Sequence, residues 1–574
     1  MIDPFLIKKS AKKYDAIVVG SGISGGWAAK ELCEKGLKVL LIERGRAVKH
    51  REDYSGEGKA PWEFDHRGRV ATNLINDQYR IQKKCYAFND ATKHFFANDK
   101  DYPYTSAEGT AFDWIRGNQL GGRSLIWHRQ SFRFSELSFE ENARDGYGCD
   151  WPIRYKDLAP WYSYVEKFTG VSGSKDKHPQ LPDSECLPPF EMNSVELYAK
   201  ALIERKYPDR KMLQGRCAHL SEATPFFLEQ GRSKCMARNQ CQRGCSFGAY
   251  FSTQSSTLPA ALKTNNLRIA CNSVVDSLRY DDKTNRVTGV NVIDEETLET
   301  REYQANMVFM CASTIGTTQI MLNSTSKAFP NGIANSSGVL GHYLMDHIYN
   351  SEARGEIEGF SDDYYKGNRP TNPVIPRFQN LKKQTQAYAR GYFLRGGAAR
   401  TSVVHGIGNK DFGASFKKSL QKPGPWGFGW GGSGEMLPMF DNQMTLDSSK
   451  TDKWGMPLIE FNCKWTDNDY KMMQAMADDA AEILESIGAK NVKRNVSDAP
   501  PGLAIHEMGT ARMGRDANTS VLNGNNQCHD IPNLFITDGS CMPSSGHVNP
   551  SLTYMALTAR AADFAVKAYR DKKI

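Results

Sequence analysis

Short apolar runs and one helical pattern alternate over the first part of the chain. YDAIVVG (14–20) and KVLLIE (38–43) are apolar enough to predict two buried strands. Between them, GSGISGGWAAKELCEKG (20–36) predicts a glycine turn that runs into an amphipathic helix. This order of strand, turn, helix and strand is typical of a parallel sheet with helices packed on it.

Two later stretches carry the same kind of pattern. MVFMCASTIGTTQIMLNS (307–324) predicts a strand followed by the start of a helix, and residues 533–569 predict a strand, a polar loop and a long closing helix. We therefore expect the two ends of the chain to meet in one sheet. Residues 277–303 predict paired strands with polar turns, attached to that sheet.

The first glycine turn has the spacing of a dinucleotide site. Gly20, Gly22 and Gly25 form G-x-G-x-x-G, and Glu43 ends the second strand. The first glycine permits a tight turn, the second admits a pyrophosphate close to the backbone, and the third lets helix and strand pack closely. The helix N-terminus attracts phosphate charge, and Glu43 is placed to accept hydrogen bonds from a ribose. A bound dinucleotide is expected, and the N-terminal position of the motif favours FAD.

A second glycine-rich turn occurs in GNQLGGRSLIWHRQSFRFS (117–135). Gly117, Asn118, Gly121 and Gly122 offer backbone N–H groups there, which suit a pyrophosphate or the edge of a flavin.

Length and composition limit the class of protein. A chain of 574 residues is too long for one hydrophobic core, so two domains are expected. The net charge of +8 is spread without long basic blocks, which argues against nucleic-acid binding. No window approaches eighteen consecutive apolar residues, so no membrane span is expected, and the N-terminus lacks the apolar run of a secretory signal.

Five motifs in a fixed order carry a family resemblance. They are the G-x-G-x-x-G turn, LGGRSLIW, CASTIGTTQIMLNS, HEMGTARMG (506–514) and TDGSCMPSSGHVNPSLTYMALTARAAD. Together they resemble the glucose-methanol-choline (GMC) oxidoreductases, FAD enzymes that oxidise alcohols. The resemblance runs from about residue 14 to 569, with a poor match between roughly 350 and 430, and points to a branch of bacterial sugar dehydrogenases.

The resemblance implies an α/β fold with a Rossmann-like FAD-binding domain and a second, α+β substrate domain. The FAD-binding domain would comprise residues 1–345, including the cysteine-rich segment 233–248, together with residues 500–574. Residues 346–499 would form the substrate domain.

The family's catalytic pair is a histidine in H-x-x-G-T and a His or Asn some forty residues later. Those positions are His506 and Asn549 in this chain. An imidazole with a pKa near ~6.5 can take a hydroxyl proton near neutrality, whereas Asn549 would hold the hydroxyl by hydrogen bonds. His547 is the rival for the paired position, and His128 and His529 are interpreted as structural.

The resemblance also implies further cofactor contacts and the mode of attachment. Some family members tether the flavin through a histidine one position before the tryptophan of the second glycine turn. Ile126 stands at that place, so FAD is expected to bind non-covalently. The additional cofactor contacts implied by the last motif are Asp538, Gly539, Asn549 and Pro550.

Three of the thirteen cysteines, Cys235, Cys241 and Cys245, have C-x5-C-x3-C spacing. Several sugar dehydrogenases of the similar branch hold a [3Fe-4S] cluster with this spacing, and thiolates are the ligands that iron–sulfur clusters require. The resemblance therefore implies such a cluster. A structural zinc with His219 as a distant fourth ligand, a disulfide with one free thiol, and unrelated buried cysteines remain alternatives.

The resemblance implies oxidation of a secondary sugar hydroxyl, with C3 of a glucoside as the first expectation. Electrons would pass through the cluster to a separate cytochrome c or quinone, because no C-x-x-C-H haem motif occurs in the chain. A small subunit with an export signal would place the enzyme in the periplasm, and without it the enzyme would be cytoplasmic. Alternatives are a pyranose-oxidase-like enzyme acting at C2 with dioxygen, and a non-catalytic electron-transfer subunit.

The segment GPWGFGWGGSG (424–434) is expected to be a glycine-rich loop. Trp426 and Trp430 would be either platforms on which a sugar ring stacks or aromatic plugs beneath the loop, and the sequence leaves both open.

Overall fold

The computed structural model describes residues 13–361, 369–400, 412–419, 421 and 424–574. The strands are β1 Tyr14–Val19, β2 Val39–Ile42, β3 Thr105–Ser106, β4 Leu213–Gln214, β5 Leu267–Ala270, β6 Ser273–Asp281, β7 Arg286–Asp294, β8 Thr300–Met310, β9 His347–Ile348, β10 Glu352–Ile357, β11 Pro373–Ile375, β12 Tyr392–Arg400, β13 Trp426–Glu435, β14 Gln443–Thr451, β15 Pro457–Asn462, β16 Lys490–Asn495 and β17 Leu534–Ile536. The helices are α1 Ile23–Glu34, α2 Thr72–Gln78, α3 Glu136–Asp145, α4 Tyr155–Thr169, α5 Ser194–Lys206, α6 Pro225–Glu229, α7 Leu258–Lys263, α8 Thr314–Asn323, α9 Gly413–Ser419, α10 Asp467–Ser486 and α11 Ser551–Arg570.

The first sheet joins both ends of the chain, as the sequence predicts. Its order is β5-β2-β1-β8-β7-β6, and β17 also pairs with β8. The end of β8 runs parallel to β1 and β17, whereas its beginning runs antiparallel to β7, with Tyr303 opposite Val290. One long strand thus carries the predicted ribbon of paired strands out of the parallel sheet.

Helix α1 is buried along most of its length because it packs between this sheet and helices α11 and α7. The close approach depends on Gly25, since a Cβ at that position would lie 1.8 Å from the carbonyl oxygen of Gly20. The third glycine of the motif therefore serves the close packing of helix on strand.

The second sheet is antiparallel and has the order β16-β10-β13-β12-β11-β4, with β9 paired to the end of β13. Helix α10 packs on one face of it. All its strands except β4 lie between residues 347 and 495, in the stretch expected to form the substrate domain. The exact division at residues 345 and 499 stays a prediction.

The glycine-rich segment is strand β13, so the expectation of a loop is wrong. Trp426 and Trp430 are each 1 % exposed and belong to the apolar core shared with Met472 and Met476 of α10. Alternation along the strand sends these rings to the α10 side, while the glycines between them face the other way. The interpretation as plugs therefore holds, and the sugar-stacking interpretation is wrong.

The remaining strands form a small third sheet in the order β14-β15-β3. Among the described residues, no helix combines the length and apolar character needed to cross a bilayer.

Candidate active site

One long cavity of about 900 Å³ is lined by elements of both large sheets. We call the part lined by the two glycine turns the flavin half. The part lined by Tyr349, Asn350 and strands β10, β12 and β13 is called the substrate half. Residues of the last two motifs, including His506 and Asn549, line the same cavity.

The two glycine turns face each other across the flavin half. A Cβ on Gly22 would meet no atom within 4 Å, and a Cβ on Gly122 would lie 3.5 Å from the Cα of Gly22. The predicted cofactor residues that line the cavity are Gly20, Gly22, Glu43, Gly117, Asn118, Gly122, Asp538, Gly539 and Asn549. Gly25, Gly121 and Pro550 are not among the lining residues.

Gly121 stabilises the second glycine turn without lining the cavity. It adopts a left-handed backbone with φ of 87°, and its N–H donates to Ser21 Oγ over 2.8 Å. Pro550 occupies the N-cap position of α11, directly after Asn549. Both residues therefore shape the cavity without lining it.

Glu43 is buried at the end of β2 and is fixed by backbone donors. Its carboxylate accepts hydrogen bonds from the N–H of Ser21 at 3.2 Å and of Gly45 at 2.9 Å. Burial raises the pKa of Glu43, and these hydrogen bonds act against that rise. The carboxylate lies where the acidic residue of a dinucleotide site accepts hydrogen bonds from the ribose.

Buried polar atoms without partners mark where a ligand fits in the cavity. Among the described residues, Asn118 Nδ2, Tyr554 OH and Asn549 Oδ1 are buried and make no hydrogen bond. All three residues line the cavity. Because unpaired buried polar groups are costly, these atoms, together with the open glycine backbone, fit a large polar cofactor such as FAD.

His506 and His347 form a hydrogen-bonded pair that fixes the tautomer of His506. The two Nδ1 atoms are 2.9 Å apart, and His347 Nε2 lies 2.7 Å from the carbonyl oxygen of Gly546. A carbonyl only accepts, so His347 Nε2 carries the proton and neutral His347 Nδ1 must accept. His506 Nδ1 then donates, which leaves the lone pair on His506 Nε2.

That lone pair faces the expected partner. Asn549 Nδ2 lies 3.2 Å from His506 Nε2 and can donate to it. A substrate hydroxyl placed between the two side chains would give its proton to His506 and accept a hydrogen bond from Asn549.

Asp346 holds the loop that carries His506. Its carboxylate accepts from the backbone N–H groups of Gly502 at 2.8 Å, Ala504 at 3.0 Å and His506 at 3.0 Å. Burial raises the pKa of Asp346 to about 7, and backbone donors act against this. The loop needs such support because Ile505, a β-branched residue, has a φ of 64°.

A second connection ties this loop to the flavin half. Arg123, in the second glycine turn, makes two hydrogen bonds of 2.9 and 2.7 Å with the carboxylate of Glu507. The residue next to His506 is thereby anchored to the turn expected to contact the flavin.

His506 is held in its neutral form. Burial is the main cause that places its pKa well below the usual value, and the positive charges of Arg395 and Arg123 act in the same direction. A neutral imidazole is the state that a general base requires.

The other histidines take different places. His547 is fully buried outside the cavity lining, with Nε2 3.2 Å from the carbonyl oxygen of Gln180, so it is no rival to Asn549 for the position beside His506. His529 Nε2 lies 3.1 Å from Ser520 Oγ, in keeping with a structural interpretation. His128 lines the main cavity.

Two of the three predicted cluster cysteines line a small cavity of about 80 Å³ beside the main one. Cys235 and Cys241 line it, and His128 and Arg129 line both cavities. Cys245 Sγ lies 3.9 Å from Arg238 Nη2 on the same segment. The small cavity adjoins the main one at His128, Arg129 and Asn372.

The thiols are not gathered into a ligand set. Within the part of the chain that the structure describes, no three His, Cys, Asp or Glu side chains are grouped closely enough to hold a metal ion. All thirteen cysteines are free, which gives no support to the disulfide alternative. Two buried groups on the small cavity nevertheless lack partners: both ring nitrogens of His219, and Nε and Nη1 of Arg129.

Sequence reasoning missed three residues of the site, Asp346, His347 and Arg395. The first two lie 160 and 159 positions before His506, and no motif joins them to it. Arg395 falls in the stretch that resembles the family least. No local signal identifies any of the three.

Two family models match the chain. Both are described as GMC oxidoreductase, and they cover residues 14–349 and 438–558. The chain is 28% identical to 2-methyl-1,2-propanediol dehydrogenase of Mycolicibacterium austroafricanum, over 98% of this chain and 97% of that protein.

Two further relatives are also similar over nearly their whole length. The fructose dehydrogenase large subunit of Gluconobacter japonicus is 25% identical over 96% of this chain and 97% of its own. The gluconate 2-dehydrogenase flavoprotein of Pantoea cypripedii is 25% identical over 99% of this chain and 95% of its own.

A solved structure shows the same fold. Formate oxidase of Aspergillus oryzae matches 99% of this chain and 100% of its own, with a TM-score of 0.59 at 14% identity. The predicted resemblance and fold class are confirmed. The chain belongs to the GMC oxidoreductase family and is an FAD-dependent enzyme acting on CH–OH groups of sugars or alcohols.

Proposed function

We propose that this enzyme is a dehydrogenase that oxidises a secondary hydroxyl of a sugar, with C3 of a glucoside as the first candidate. The observation that carries the proposal is the bare Nε2 of His506 beside Asn549 in the cavity. Relatives named for fructose and gluconate support a sugar-derived substrate.

The protein's own groups have distinct tasks in this reaction. His506 Nε2 takes the hydroxyl proton, and His347 keeps that nitrogen unprotonated beforehand by accepting from His506 Nδ1. Asn549 Nδ2 donates to the hydroxyl oxygen and holds it in line. Bound FAD supplies the acceptor for the hydride that leaves the same carbon.

Anaerobic mixing of the FAD-loaded enzyme with methyl glucoside tests the proposal. We expect the flavin absorbance to bleach and the product to be a 3-keto sugar by NMR. A product oxidised at C2, with reoxidation by dioxygen as fast as by a dye, would support the pyranose-oxidase-like alternative. If exchange of His506 for Ala leaves dye reduction by the loaded protein intact, the electron-transfer alternative is favoured.

We also propose that Cys235, Cys241 and Cys245 hold a [3Fe-4S] cluster, which would pass single electrons to an external cytochrome c or quinone. The cysteine spacing supports it, as do the unpaired polar atoms of Arg129 and His219 and the lining residues that the small cavity shares with the main one. A small partner subunit with an export signal, and hence a periplasmic enzyme, belongs to the same proposal.

Metal analysis of anaerobically purified protein tests the cluster. About three irons per flavin, with a paramagnetic signal of the oxidised sample, are expected. Cys241→Ser should abolish both, whereas Cys271→Ser, remote from the segment, should preserve them. Zinc in place of iron would favour the zinc alternative, and metal-free protein with full dye-linked activity would remove the cluster from the proposal.

A further inference from the structure

Seven arginines line the main cavity, and six of them have hydrogen-bond or ion-pair partners. The partnered six are Arg44 with Asp452, Arg116 with Asp99, Arg123 with Glu507, Arg354 with Glu352, and Arg129 and Arg400 with backbone carbonyls. Arg395 makes no hydrogen bond or ion pair with any described residue. Its guanidinium lies over the ring of Tyr349, 5.2 Å from the centroid.

The sheet directs this side chain into the substrate half. In β12, Leu394 belongs to the core shared with α10, so Arg395, the next residue, points to the cavity face. Its cross-strand neighbour in β13 is Gly431, and the same face of β13 continues with Gly429 and Gly427. Because these glycines present no side chains, the guanidinium faces open space.

The open space around Arg395 is shared with the catalytic histidine. His506 and Arg395 both line the cavity, and the positive charge acts on His506, His347 and His128 in addition to their burial. A half-buried guanidinium without a carboxylate is a ready partner for an anion, since its planar fork matches two carboxylate oxygens.

We propose that Arg395 binds a carboxylate of the substrate, so that the enzyme acts on a sugar acid in preference to a neutral or amino sugar. This deepens the proposed function and rests on it. Two contacts then orient the ring: the carboxylate on Arg395 and the reacting hydroxyl between His506 and Asn549. The same charge disfavours cationic amino sugars.

Methyl glucuronide and methyl glucoside form a matched pair of substrates, because they differ only in carboxylate against CH₂OH. We expect kcat/KM to be at least about tenfold higher for the glucuronide, a difference that shrinks as salt is added. Arg395→Gln should raise KM for the glucuronide by about ten- to a hundredfold and KM for the glucoside by much less, and Arg395→Lys should restore part of the preference. Arg494→Gln, which changes an arginine paired with Asp478 outside the cavity lining, is the control and should alter neither.

A binding measurement separates this proposal from the proposed function. Cyclohexanecarboxylate has no carbinol and cannot be oxidised, so its perturbation of the flavin spectrum reports anion binding even if no sugar reacts. Binding to the wild type that is lost in Arg395→Gln, together with failure to oxidise any sugar, would overturn only the proposed function. The role of Arg395 in carboxylate binding would be overturned if the wild type had equal kcat/KM for the two glycosides. It would also be overturned if Arg395→Gln lost kcat/KM equally for both glycosides and had a shifted flavin potential.

Discussion

The flavin half of the cavity is built around two glycine turns that face each other, whereas the substrate half is a sheet face on which glycines lie between charged side chains. In the flavin half, Gly22 and Gly122 bring main chain close to the space for a cofactor. In the substrate half, Gly427, Gly429 and Gly431 of β13 leave the sheet surface without side chains. Arg395 and Glu352, on the two neighbouring strands, flank this surface. A cofactor shared by a whole family is held by main chain, while selection of a particular substrate falls to a few side chains.

His506 stands where the two halves meet, and its removal should have the largest effect. His506→Ala is expected to lower kcat by about 10²- to 10⁴-fold, because the general base is lost while the flavin half is untouched. Stopped-flow flavin reduction measures this directly, and the flavin content should stay at the wild-type level. His529→Ala, outside the cavity lining, serves as the control. A decrease of less than threefold would mean that another group takes the proton.

Replacement of Trp430 tests whether the core between β13 and α10 stabilises the sheet that forms the substrate half. Trp430→Ala should lower the free energy of unfolding by about 3–5 kcal/mol, since a fully buried ring is removed from the core on α10. Denaturant unfolding of the holoenzyme measures the loss. KM for the sugar should change little in protein that remains folded. A large rise in KM with unchanged stability would revive the sugar-stacking interpretation.

Gly25 and Gly22 separate packing from cofactor contact within the flavin half. Gly25→Ala should destabilise the protein by about 1–3 kcal/mol, because the added Cβ would overlap the carbonyl oxygen of Gly20. Gly22→Ala should leave the apoprotein stable and weaken FAD binding by about tenfold, since its Cβ would enter open cavity. Thermal melts with and without FAD distinguish the two variants, and similar behaviour of both would contradict this division.

His347 is a positioning residue, and the pH profile should reveal it. In the wild type, the acid limb of kcat/KM should lie well below pH 6.5, because burial and neighbouring charge lower the pKa of His506. His347→Phe removes the acceptor for His506 Nδ1 and should reduce kcat by roughly tenfold, the size of one lost hydrogen bond of about 1.4 kcal/mol.

The direction of the pH shift makes this prediction specific. Loss of His347 removes the acceptor for His506 Nδ1–H, and that acceptor favours the imidazolium form, so the acid limb should move to still lower pH. His347→Gln, whose amide oxygen can accept from His506 Nδ1, should recover part of the rate. Equal damage in both variants with an unmoved acid limb would indicate a purely structural role for His347.

Local sequence was sufficient wherever neighbouring residues perform a joint task. The strand, glycine turn and helix around Gly20, Gly22 and Gly25 were predicted closely, because the turn and its phosphate geometry are set within a few residues. The same holds for the last motif, which carries Asn549 into the cavity at the start of α11.

Other features escaped prediction because they depend on partners distant in sequence. The segment 424–434 contains enough glycine to predict a loop, and it becomes a strand because β10 and β12 supply hydrogen bonds on both sides. The cysteine spacing is local, yet the distances among the three thiols depend on the fold of the whole segment, and the described residues contain no ready metal-ligand group.

The sequence alone determined the family and the FAD fold and singled out His506 and Asn549, which the fold places side by side, since each of these rests on a short motif. Tertiary structure decided which nitrogen of His506 is free, through His347 and Gly546, and placed Arg395 in the substrate half with no ion-pair partner among the described residues. The tautomer of His506 and the unpaired charge of Arg395 depend on contacts between residues more than a hundred positions apart. Short sequence motifs carry no information about such contacts.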